Sequence, residues 1–169
     1  ASDVSGNNLH GNVSGAIPTQ DRFGQSGMAY WFDGVDDFIR VNHTSVLNLS
    51  PNLTLSIWFA HGNQTPRKYE DLIMKGNSSF GFQYSANGDR ILFQMRGGGS
   101  YKMVIPDSMS LSNQTWYHLV GTRDTAVQSL YLNGVLLKQN HWAGNFSNNT
   151  NDLLFGYKIA SDNNWYFGA

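Results

Sequence analysis

The chain has 169 residues, 40% of them hydrophobic and 14% charged, with a formal net charge of −1. That length supports a single domain, residues 1–169, with a core of its own, and so balanced a charge gives no electrostatic basis for binding nucleic acid or an anionic membrane surface. No apolar run reaches the roughly eighteen residues of a transmembrane helix, and the absence of cysteine excludes disulfides and thiolate metal sites while leaving the redox compartment open.

Read in chain order, period-2 alternation predicts strands near residues 28–33, 36–42, 53–60, 70–75, 79–85, 90–96, 101–104, 115–123, 127–133 and 135–140, with another at 153–158. Leu53, Leu55, Ile57 and Phe59 fall on one face and Thr54, Ser56, Trp58 and Ala60 on the other. Ile91, Phe93 and Met95 oppose Leu92, Gln94 and Arg96; Trp116, His118, Val120 and Thr122 oppose Tyr117, Leu119, Gly121 and Arg123. Asp33-Gly34, Asn87-Gly88 and Asn133-Gly134 lie between such runs and predict hairpin turns, because Gly and Asn accept the positive φ these turns need. No segment keeps helical periodicity, so the chain is all-β, and short strands with regular turns favour a two-sheet antiparallel β-sandwich.

Four segments carry a resemblance. They are Ala29-Tyr-Trp-Phe-Asp-Gly-Val-Asp-Asp-Phe-Ile-Arg-Val41, Leu53-Thr-Leu-Ser-Ile-Trp-Phe59, Trp116-Tyr-His-Leu-Val-Gly-Thr-Arg-Asp124 and Leu130-Tyr-Leu-Asn-Gly-Val-Leu136. Together and in this order they resemble the laminin-G-like (concanavalin A-like) jelly-roll domains. Those domains carry a Phe-Asp-Gly-x-x-Asp hairpin, a Ser-x-Trp strand, a Trp-x-His strand and a Leu-Tyr-x-Asn-Gly hairpin. The resemblance implies a jelly roll and leaves function open, since the fold serves lectins, adhesion modules, glycosidases and lyases alike. It also implies that Trp31, Trp58 and Trp116 are packing residues. The family's first and last strands have no counterpart, although Asp3-Val-Ser-Gly-Asn-Asn8 and Trp165-Tyr-Phe-Gly-Ala169 are similar to the segments beside them. Either the chain is a fragment, or another copy supplies a strand and the protein is a homo-oligomer by strand complementation.

Catalytic patterns are weak. A retaining glycosidase needs two carboxyl groups about 5 Å apart, but Glu70 is the single Glu and alternation turns its neighbour Asp71 to the opposite face. Gln139-Asn-His141 has the spacing of a lyase motif, with Tyr101, Arg96 and Arg123 elsewhere, yet lacks the accompanying Arg-x-Glu-x-Arg strand. The five histidines are scattered, and His118 reads as an inter-strand residue rather than a ligand. The chain is therefore expected not to be an enzyme.

Two binding sites are expected. Calcium takes oxygen ligands from Asp- and Asn-rich loops, so Asp3, with Asn7 and Asn8 beside it, and the pair Asp36 and Asp37 are metal candidates; the resemblance strengthens the case for a structural Ca2+. Sugar rings stack on exposed aromatics flanked by amide donors. Trp142, in a polar loop with Asn140 and His141, is the leading ligand residue, with Tyr101 secondary. Nine Asn-x-Ser/Thr triplets begin at Asn12, Asn42, Asn48, Asn52, Asn63, Asn77, Asn113, Asn145 and Asn148. They fit an N-glycosylated or Asn-rich surface protein and point to an extracellular or cell-surface location. The expected function is non-catalytic recognition of a glycan or glycosylated protein. The alternatives are a structural or adhesive subunit and, behind it, a polysaccharide hydrolase or lyase.

Overall fold

Short alternating segments form the strands of this structure, a computed structural model that describes residues 1–49, 51–62, 69–76, 79–85, 90–158 and 165–166, with backbone alone at 69, 157–158 and 165–166. In chain order they are β1 (Gly11–Ser14), β2 (Ile17–Thr19), β3 (Ala29–Trp31), β4 (Phe38–Val41), β5 (Leu53–Ala60), β6 (Tyr69–Lys75), β7 (Phe80–Ser85) and β8 (Arg90–Gly97). There follow β9 (Ser100–Val104), β10 (Trp116–Arg123), β11 (Val127–Leu132), β12 (Val135–His141), β13 (Leu153–Phe155), β14 (Tyr157–Lys158) and β15 (Trp165–Tyr166). A seven-stranded antiparallel sheet, β1-β4-β13-β6-β7-β8-β9, faces a four-stranded one, β12-β11-β10-β5, while β2-β3 and β14-β15 form separate pairs. The fold is the all-β antiparallel sandwich that the alternation predicts. Among the described residues no helix is long and apolar enough to cross a membrane.

The core lies between the two sheets. Phe59, Tyr117, Leu119 and Leu130 from the smaller sheet meet Phe80, Phe82, Tyr84, Ile91, Phe93, Met95 and Val104 from the larger. Gly121 lets them close: a Cβ there would lie 2.8 Å from the Phe93 ring and 2.9 Å from Phe82. In β10 the alternation is realised directly, with Tyr117, Leu119, Gly121 and Arg123 buried and the residues between them half-exposed. The outer face of β6–β8 departs from it, since Met74, Gln83, Leu92 and Gln94 are buried as well. Gln83 Nε2 there donates to Asp71 Oδ1 at 2.7 Å.

The Asn133-Gly134 hairpin forms as predicted, with Leu132 paired to Val135 and both turn residues at positive φ, 49° and 81°. The hairpin predicted at Asp33-Gly34 does not form. β3 pairs with β2, whereas β4 pairs with β1 and β13. Side-chain caps shape this segment into a connection between sheets: Asp33 Oδ1 accepts the Val35 N–H at 2.8 Å, and Asp37 Oδ2 accepts that of Asp33 at 2.8 Å. Such Asx capping bends the chain without requiring the flanking strands to pair. The Asn87-Gly88 turn lies outside the described residues.

Candidate functional site

β9 is one edge of the larger sheet and β12 one edge of the smaller, and the two meet on one side of the sandwich. Asn140 Nδ2 donates across the gap to the Met103 carbonyl at 2.6 Å, and Lys138 Nζ pairs with Asp107 at 2.8 Å. Between the edges lies a cleft of about 420 Å³ lined by Tyr101, Lys102, Met103, Ile105, Gln128, Asn140, His141 and Trp142. The structure thus brings Tyr101, Asn140, His141 and Trp142 into one place from two sequence-distant strands.

The Trp142 ring is half-buried rather than standing free in a loop. Arg123 on β10, only 2% exposed, places its guanidinium 4.3 Å from the ring centre. Its Nη1 donates to the Trp142 carbonyl at 2.7 Å, and its Nη2 to the carbonyls of Thr125, at 3.1 Å, and Gly144. Burial lowers the Arg123 pKa from its usual value, with Asp124 opposing the shift. On the other strand edge Gly97 leaves the space the ring fills: a Cβ at Gly97 would overlap Trp142 Cη2 and Cζ2. The β10–β11 turn holds the arrangement from below, because Asp124 Oδ1 accepts the N–H groups of Ala126 and Val127, at 3.0 and 2.9 Å, and Ala126 returns its carbonyl to the Trp142 N–H at 2.7 Å. The backbone N–H donors of Ala126 and Val127, in that order, hold the Asp124 pKa below 3.8.

Gln128 is the residue that motif reading misses. It lies on β11 between Arg123 and Asn140, is 1% exposed, and its Nε2 has no hydrogen-bond partner among the described residues. A buried donor without a partner costs about 1–3 kcal/mol, so a donor left open at the cleft marks a place for an acceptor. A signal existed, since Gln128 precedes Leu130 and Leu132 on the inward face of β11, where alternation calls for an apolar residue.

Of the lyase candidates, Tyr101 and His141 share the cleft, while Gln139 and Arg123 are engaged elsewhere. Gln139 Nε2 donates to Ser129 Oγ at 3.0 Å, and the Arg123 guanidinium is committed to backbone carbonyls. His118 is an inter-strand residue: Nε2 lies 2.8 Å from Ser56 Oγ, and its ring stacks on Trp58 at 4.7 Å.

The acidic residues divide. Ligand atoms of Asp33, Asp36 and Asp37 lie within 4.8 Å of one another, and this oxygen-only set fits a hard cation such as calcium. Asp3 does not join them. Its carboxylate closes its own loop, accepting from Ser5 N at 2.8 Å, Ser5 Oγ at 2.9 Å and Leu9 N at 2.8 Å, which lowers its pKa below 3.8, the Ser5 backbone bond foremost.

On the opposite side of the sandwich β5 pairs only with β10. A cleft of about 1190 Å³ opens beside it and reaches the core at Ile39, Val41, Phe59 and Leu72. Trp31, Trp58 and Trp116 line it, and two of them are not packing residues as expected: Trp31 is 40% and Trp58 42% exposed. Trp58 alternates with buried Phe59 and so points outward, where no further sheet covers it; Arg22 lies over its ring at 4.2 Å.

A family model described as the concanavalin A-like lectin/glucanases superfamily matches residues 33–168, and the chain belongs to that family. Among solved structures it is similar to the binding domain of botulinum neurotoxin DC in complex with SialylT (16% identity, TM-score 0.69, covering 98% of this chain and 43% of that one). A structure of botulinum neurotoxin type C, whose cell entry is described as dependent upon interaction with two ganglioside molecules, matches at 16% identity and TM-score 0.59, over 95% and 42% of the two chains. Mouse laminin alpha1 chain domains LG4-5 match at 14% identity and TM-score 0.57, over 82% and 38%. The likeness is one of fold, and the chain spans less than half the length of each of these chains. No curated protein sequence matches it.

Proposed function

We propose that this chain is a non-catalytic recognition module that binds carbohydrate, free or on a glycoprotein, outside the cell or at its surface, in the cleft between β9 and β12. The observation that carries the reading is the convergence on one 420 Å³ cleft of two aromatic rings, amide and imidazole side chains and the unpartnered Gln128 donor. Pyranose rings offer apolar C–H faces for the aromatics and hydroxyls for the polar groups. The fold relatives crystallised with SialylT, or described through gangliosides, support the ligand class. Asp33, Asp36 and Asp37 would hold a structural calcium that steadies the loop before β4.

The test is a glycan array probed with the wild type, Trp142→Ala and Gln128→Leu. Binding by the wild type with a loss of tenfold or more in both variants, equivalent to about 1.4 kcal/mol, is expected. Full binding by both folded variants overturns the reading.

A second reading has its own observation, the unpaired edge of β5 beside an open core. Such an edge accepts a strand from a second copy of the chain, as in a structural or adhesive subunit. Light scattering after size exclusion decides: a concentration-dependent dimer abolished by proline at Leu55 favours this reading, and a monomer at every concentration overturns it.

A further inference from the structure

We infer that the β9–β12 cleft selects anionic saccharides, those carrying a carboxylate or a sulfate, an inference that rests on the carbohydrate reading above. The chain as a whole is nearly neutral, yet the cleft is not. No carboxylate lines it, and Lys102 does, with Nζ 5.6 Å from the Trp142 ring centre. Arg96 does not line the cleft: it pairs in register with Tyr101 on the outer face of the sheet, whereas Lys102 pairs with the core residue Met95. Arg123 adds a second cation directly behind Trp142.

None of these charges is cancelled by an ion pair. Among the described residues the ion pairs are Arg40 with Asp152 and Lys138 with Asp107, so Lys102 and Arg123 have none. Asp107, the acid nearest along this edge, is taken by Lys138. Asp124, adjacent to Arg123, offsets part of that guanidinium's charge, which leaves Lys102 as the uncompensated cation of the cleft lining.

Hydrogen-bonding capacity leans the same way. Gln128 Nε2 is a buried donor awaiting an acceptor, and Lys102 offers only donors. Asn140 has spent its Nδ2 on Met103 and keeps Oδ1 as the acceptor for a hydroxyl. An uncancelled cation in a recess concentrates potential there, and ionised acceptors make the stronger hydrogen bonds with such donors. Tyr101 and Trp142 receive the ring; Lys102 and Gln128 receive its acidic substituent.

The experiment is titration calorimetry with matched oligosaccharides that differ only in being neutral, carboxylated or sulfated, chosen from the glycan array and run at low and high salt. Wild type, Lys102→Gln and Arg96→Gln are compared, each checked for folding by its melting curve. The acidic member should bind about tenfold more tightly than its neutral counterpart, and high salt or Lys102→Gln should remove most of that preference, whereas Arg96→Gln, outside the cleft, should keep it. The carboxylated and sulfated arms show which anion is preferred. Equal affinity for neutral and acidic members, or a preference insensitive to Lys102→Gln, overturns this inference and leaves the carbohydrate reading standing. Binding to no saccharide at all overturns both.

Discussion

Arg123 grips Trp142 twice, placing its guanidinium 4.3 Å from the ring centre and donating to the carbonyl of the same residue at 2.7 Å. One side chain thereby fixes both the backbone and the plane of the aromatic at the mouth of the cleft. Only a fork of donors can also reach the carbonyls of Thr125 and Gly144 at the same time.

Arg123→Lys keeps the charge and loses the fork. Two part-buried carbonyls lose their donors, so a loss of about 1–3 kcal/mol is expected. For a chain of this size that lowers Tm by roughly 3–10 °C, readable by circular dichroism. A Tm unchanged within experimental error refutes the positioning role.

Gly97→Ala tests the ring's seat. The added methyl would overlap Trp142 Cη2 and Cζ2 and approach Asn145 O to 2.8 Å, so the ring must turn out of its place. Saccharide binding should fall by tenfold or more, the equivalent of about 1.4 kcal/mol. Gly98→Ala is the control: it meets open space but strains a residue at φ 59°, costing stability and leaving binding intact. Equal binding by the two variants contradicts the seat.

Acid should loosen the loops held by Asp124 and Asp3 only after it has protonated ordinary carboxylates in number. Both pKa values lie below 3.8 in the folded chain because backbone N–H groups favour the ionised form. A depressed folded pKa means that the stabilisation is complete above the unfolded value of 3.8 and is lost as pH falls through the lowered value. Carboxyl carbon shifts followed by NMR should give midpoints below 3.8 for these two residues. A midpoint at or above 3.8 for Asp124 removes it as the clamp of the β10–β11 turn.

Calcium should raise Tm in the wild type and not in Asp36→Asn, since ligand binding to the folded state alone stabilises it in proportion to RT ln(1 + [L]/Kd). Asp3→Asn should leave that calcium response intact, because its carboxylate is saturated by its own loop. A calcium response that survives Asp36→Asn moves the site elsewhere, and no response in the wild type removes it.

Much of the fold was legible because period-2 alternation reports burial directly when one sheet face is dry and the other wet. β5 and β10 show it residue by residue, and Asn133-Gly134 marked a true hairpin because local φ requirements decide a two-residue turn. Asp33-Gly34 looked alike and is a crossover between sheets, since what separates the two cases is the partner chosen by each flanking strand, a long-range matter. The short β1 and β2 carry too few apolar residues to announce themselves. In the cleft, the aromatic and amide residues were legible as an exposed polar loop around Trp142. Arg123, Gly97 and Gln128 were not, because each acts through a neighbour distant in sequence.

The sandwich is fastened on one side and not on the other. Asn140–Met103 and Lys138–Asp107 tie β12 to β9 and the segment after it, whereas among the described residues no such tie closes the wide cleft between β5 and the larger sheet. Thermal breathing should therefore have a hinge and a direction, the sheets parting along β5 while the proposed saccharide cleft, next to the pivot, keeps its shape. Amide hydrogen exchange would register this as a gradient across the smaller sheet, slowest in the doubly bonded β11 and β10 and fastest along the outer N–H row of β5. The proposed recognition cleft thus sits where the molecule is expected to move least.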